Sequence, residues 1–95
     1  MFIAEIIFWG QAKGGRYKSP QPGYKPLILL GNIKTSCIVN PIDESVVKFE
    51  FDEKYLVRLN LMFPDEYSSK LSINDEVALF EGNKQVATGK IVALE

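Results

Sequence analysis

Tyr55-Leu56-Val57-Arg58-Leu59-Asn60-Leu61-Met62-Phe63 is the stretch on which the fold turns. Tyr55, Val57, Leu59, Leu61 and Phe63 recur at every second residue, the spacing at which side chains leave one face of an extended chain. The other face carries Leu56 and Met62 beside Arg58 and Asn60, so both faces hold apolar groups and a central strand is predicted, ended by Pro64. The same period runs outward in both directions. Val47, Phe49 and Phe51 alternate with Val46, Lys48 and Glu50 as a strand before it. After a polar connection over residues 65–75, Glu76 to Glu81 and Lys84 to Leu94 form a hairpin about Gly82-Asn83. At the start, Phe2, Ala4, Ile6 and Phe8 share one face of a strand and Ile3, Glu5, Ile7 and Trp9 the other. Leu27 to Leu30 and Ile33 to Val39 read as one bent strand or two short ones, with Gly31 at the bend and Asn40-Pro41 as a turn.

Between the first two strands, Gly10 to Pro26 holds four glycines and three prolines, a density that excludes a continuous helix or a central strand and predicts a long structured loop. Nowhere does an apolar stripe follow the helical spacing for a convincing length. About six strands with no helix to cover a sheet must bury their apolar faces by closing on themselves. The fold class is all-β: a small six-stranded antiparallel closed β-barrel, forming one domain over residues 1–95. SH3-like and OB-like barrels are architectural neighbours on pattern alone.

The 46% apolar and 24% charged content and the mean hydropathy of -0.01 are those of a globular chain. No run approaches the roughly 18 apolar residues of a membrane span, so no membrane association is expected. The opening run, broken by Glu5 with no basic region before it, makes a strand rather than a signal peptide. Cys37 is the sole thiol, which suits a cytoplasmic protein and a buried structural role. Charge is uneven: residues 1–42 hold five basic side chains against Glu5, whereas residues 43–95 hold six basic and eleven acidic. Two electrostatic ends result if the halves stay apart, and a closed barrel can mix them.

The chemistry of catalysis is sparse. Without any histidine, the commonest general base, the Ser-His-Asp triad and histidine-based zinc sites are all excluded. Gly14-Gly15-Arg16-Tyr17-Lys18-Ser19 fails the phosphate-loop pattern, so no nucleotide is expected. Four Asp-Glu dipeptides, at residues 43–44, 52–53, 65–66 and 75–76, fall at turns and lack the spacing of a calcium loop. No catalytic residue, cofactor or metal site is predicted, and the chain is not expected to be an enzyme. The candidate binding residues lie in the long loop, where Lys13, Arg16, Lys18 and Lys25 are interleaved with Tyr17 and Tyr24: cations for phosphate or carboxylate, and aromatic faces for stacking.

Taken in order, Phe2-Ile3-Ala4-Glu5-Ile6, Gly14-Gly15-Arg16, Pro20, Gly23-Tyr24-Lys25-Pro26, Glu81-Gly82, Val86 and Gly89 resemble the C-terminal barrel, domain III, of bacterial elongation factor Tu, here as a free-standing domain. The likeness is carried by the two ends of the chain. Residues 32–70 share only strand pattern and the position of Pro64. The resemblance implies a six-stranded barrel that hydrolyses nothing itself and contacts the T-stem of aminoacyl-tRNA, the nucleotide-exchange factor and the GTPase domain. It adds Glu81 and Gly82 to the candidate contacts. Tyr17 stands where the family usually has His, Phe80 where it has Arg, Asn83 where it has Gly and Ala87 where it has Gly, and the loss of that Arg removes a phosphate contact. The expected function is a non-enzymatic binding module for a translation-related partner, either tRNA or a protein that docks on elongation factor Tu. The alternative is a protein-protein inhibitor or immunity-type protein with no RNA contact.

Overall fold

The computed structural model describes residues 1–63 and 71–94. Six strands form: β1 (Phe2–Phe8), β2 (Leu27–Leu30), β3 (Ile33–Pro41), β4 (Lys54–Leu61), β5 (Glu76–Glu81) and β6 (Lys84–Leu94). They close as a barrel in the order β1-β4-β3-β2-β5-β6, every neighbouring pair antiparallel. The period-2 pattern is realised as an inside and an outside. In β1, Phe2, Ala4, Ile6 and Phe8 are buried and the residues between them are half-exposed. Ile28 and Leu30, Cys37 and Val39, Val57 and Leu59, Val77 and Leu79, and Val86 and Ile91 complete the core from the other strands. Each such side chain, fully removed from water, contributes roughly 1.5–3 kcal/mol. Among the described residues no helix is long and apolar enough to cross a membrane.

Three sequence expectations need correction. Residues 46–51 are not a strand, and among the described residues their only ladder-like contact is a single bridge between Phe51 and Phe8. In a closed barrel every strand already has two neighbours, so no edge is left for a seventh. The alternation arises because Phe49 turns inward to plug the barrel end while Val47 is 76% exposed. The strand beginning near Tyr55 ends at Leu61, leaving Phe63 58% exposed, and Pro64 lies outside the described residues. Asn40-Pro41 is not a turn, since β3 runs through it with Pro41 opposite Val57. The region around Gly31 resolves into two strands joined by a tight hairpin, with Gly31 at φ 63°.

One end of the barrel is closed by two long connections, residues 9–26 and 42–53. The Phe49 ring stacks on Phe8 at 4.9 Å between centroids and meets Tyr55 edge-on at 5.1 Å. Its backbone N–H donates to the carbonyl of buried Pro20 at 2.8 Å, so each connection holds the other in place.

Folding brings charges of the two halves together. Lys13 pairs with Asp52, Arg16 with Glu81 and Lys54 with Glu5, so each of these ion pairs joins one half of the sequence to the other.

Candidate functional site at the loop end of the barrel

The 9–26 segment follows a path its glycines permit. Gln11–Lys13 makes one 3-10 turn, closed by Gly14 in the left-handed region at φ 79°. Gly15 then passes so close to the chain that a Cβ there would lie 2.1 Å from the Trp9 carbonyl oxygen. This contact lets the Arg16 N–H donate to the same carbonyl at 2.8 Å and fixes where the Arg16 side chain leaves the backbone. Farther on, Gly23 donates to the Val39 carbonyl at 2.9 Å, Val39 donates to that of Tyr24 at 2.8 Å, and Cys37 donates to that of Pro26 at 3.0 Å. Tyr24 to Pro26 thereby continue the register that pairs β2 with β3. Inward-facing positions alternate along this extension, so the Tyr24 ring turns toward the core and meets Phe8 edge-on at 6.0 Å.

At that point three of the sequence candidates converge. One carboxylate oxygen of Glu81 accepts hydrogen bonds from Arg16 Nη1 and from the Tyr24 hydroxyl. The Arg16 guanidinium carbon lies 4.7 Å from the Tyr24 ring centroid, and its Nε donates to the Lys18 carbonyl at 2.8 Å. Burial alone would raise the Glu81 carboxyl, but the hydrogen bonds from Tyr24 and Arg16, with the charges of Arg16 and Lys84, hold it below its ordinary value. Burial, reinforced by Glu81, pushes the Tyr24 hydroxyl well above the usual tyrosine range. Burial works against the Arg16 charge, and Tyr24 and Glu81 outweigh it, leaving the guanidinium raised. Arg16, Tyr24 and Glu81 are therefore a fixed polar knot rather than three free contacts.

The remaining candidates surround it. Gly82 forms the hairpin tip at φ 61°, and its carbonyl accepts from Lys34 Nζ at 3.1 Å. Lys13 is exposed but paired with Asp52 at 2.9 Å. Tyr17 is 75% exposed, and Lys18 and Lys25 are exposed with no ion pair among the described residues. Lys34 was not among the sequence candidates. Its Nζ stands 4.1 Å over the Phe80 ring, placing a cation at the tip although the sequence has Phe80 there. Only the strand order β3-β2-β5 brings Lys34 across β2 to Phe80, and that order is not written in local pattern.

Of the Asp-Glu dipeptides, those at 43–44 and 52–53 lie in the connection between β3 and β4, and at 75–76 Asp75 precedes β5 while Glu76 begins it. The Asp43 carboxylate accepts from the Ser45 hydroxyl and N–H, which lowers its pKa, Asp75 accepts from the Ser72 N–H, and the dipeptide at 65–66 lies outside the described residues. In comparisons with known proteins, the chain matches no family model and no curated protein.

Proposed function

We propose that the chain is a non-catalytic binding module of the elongation factor Tu domain III type, and that its loop end binds RNA, with tRNA as the first choice. The carrying observation is an exposed aromatic, Tyr17, with two exposed cations, Lys18 and Lys25, that have no ion pair among the described residues, all on a segment tied to its surroundings by backbone hydrogen bonds. Phosphates would meet the ammonium groups and a base would stack on the Tyr17 ring. The motif order in the sequence supports the same surface, since Arg16, Tyr24, Glu81 and Gly82 all lie there. A cytoplasmic setting agrees with a single buried thiol.

A tRNA titration followed by fluorescence anisotropy at several salt concentrations tests the reading. Affinity should fall with salt. Lys18→Ala and Lys25→Ala should each lower the slope of log K against log salt by about one unit, and Tyr17→Ala should cost about 1–3 kcal/mol with the slope retained. Absence of binding, or an affinity indifferent to salt, removes the RNA reading.

A second reading, a protein partner with no RNA contact, is favoured by one observation: Lys13 and Arg16 are already neutralised by Asp52 and Glu81, which leaves few charges for phosphate. An inhibitor or immunity-type protein would use the same face. It predicts that affinity capture returns a protein without RNA and that Tyr17→Ala weakens the complex more than Lys18→Ala does.

A further inference from the structure

The outer surface of β4-β1-β6-β5 carries a pattern that the loop end does not use. Lys90 in β6 stands directly opposite Glu5 of β1 on one side and Glu76 of β5 on the other. Lys54 of β4 reaches Glu5 diagonally, with 3.9 Å between Nζ and Oε2. Across the barrel wall the charges therefore alternate in sign: Lys54, Glu5, Lys90, Glu76. Groups opposed in this way on neighbouring strands commonly pair. Among the described residues, however, Lys90 and Glu76 enter no ion pair, and both side chains are exposed. These four residues, with Thr88 and Gly89, border a groove of about 280 Å³. Beneath it Gly89 faces the core, where a Cβ would lie 1.9 Å from the Glu5 carbonyl oxygen and 2.7 Å from the buried Ile6 side chain, so β6 lies close against β1. Leu56, 49% exposed, follows Glu5 in the same row.

Such a row is its own complement. A two-fold axis lying in the contact plane, parallel to the strands and between β1 and β6, sets β1 against β6 of a second copy and β4 against β5. Glu5 then faces Lys90 of the second copy, Lys90 faces its Glu5, and Lys54 lies beside its Glu76. Sliding the pairing so that β6 faces β6 would oppose Lys90 to Lys90 and Glu5 to Glu76, so charge also rejects the neighbouring register. A partner of a single sign would leave half of the row facing like charge.

We infer that this face is a homodimer interface, whose occupant is a second copy of the chain. An interface held by exposed charge pairs makes a weak and salt-sensitive dimer.

Sedimentation equilibrium of the full chain tests this. The apparent mass should rise from 10.7 kDa toward twice that with concentration, and fall back in about 1 M salt, where screening acts within about 3 Å. Glu5→Lys and Lys90→Glu should each abolish association. Mixed in equal amounts the two variants should associate again, because every facing pair in the heterodimer is then of opposite sign. Lys54→Glu with Glu76→Lys provides the same test at exposed positions should a Glu5 variant fail to fold, which near-UV circular dichroism reports. A chain that remains single at millimolar concentration, a dimer indifferent to these substitutions, or a mixture that stays apart would overturn the inference.

Discussion

Glu81 accepts two hydrogen bonds on one oxygen, and its carboxyl is held below the ordinary value of 4.5. A carboxylate whose folded pKa is depressed stabilises the native state fully above its unfolded pKa and loses that contribution as pH falls through the folded value. The Arg16–Tyr24–Glu81 knot should therefore be intact at neutral pH and fail on the acid side of 4.5. Glu81→Gln keeps the shape and removes the charge, so it should cost about 1–2 kcal/mol at neutral pH, a partly exposed charged hydrogen bond being worth no more. The gap between it and the unchanged protein should close as pH drops below that value, as urea denaturation at a series of pH values would read. Cys37 offers a second test: burial pushes its thiol up to about 12. Native protein should resist thiol-specific alkylation at mildly alkaline pH and label fully once unfolded. The identity of the knot's three members was legible from motif and composition. Their mutual contact was not, because Arg16 and Glu81 lie 65 residues apart and meet only through the strand order.

Phe49 shows how an element can imitate another. Its alternation with Lys48 and Glu50 has the period of a strand, but the period records a plug: one large ring enters the barrel mouth between Phe8 and Tyr55 while its neighbours face solvent. The segments that do form strands were legible because each has an inward face continuous with a neighbour's. Pairing capacity is the missing information, since a stretch of chain is a strand only where an edge is free to receive it. Phe49→Ala should cost about 3–5 kcal/mol in chemical denaturation, the usual penalty for emptying a fully buried aromatic site. Because the Phe49 N–H is bonded to the Pro20 carbonyl, the substitution should also loosen the 9–26 segment, seen as faster amide exchange at Gly23 and Val39 than the global loss explains.

At the scale of the whole molecule, closure decides the electrostatics and the exposed surface together. Lys13–Asp52 and Arg16–Glu81 set bases of the first half against acids of the second, and Lys54–Glu5 joins the halves in the opposite sense. The two proposed contact surfaces are local: Tyr17, Lys18 and Lys25 at the mouth, and the alternating row on the wall. Composition showed the imbalance but could not show which charges meet, which depends on the barrel's circular order of strands. That order also sets Phe2 against Leu94 as direct neighbours across β1 and β6, about 5 Å apart at their Cα atoms. A link between these neighbours would thus strain the barrel little. A circular permutant that joins residues 1 and 95 through a few glycines and opens at Gly31-Asn32 should show an unchanged circular dichroism spectrum and a melting temperature within about 10 °C of the parent. The same adjacency would allow the barrel to be spliced as a cassette into an exposed turn of a host protein with little strain on either.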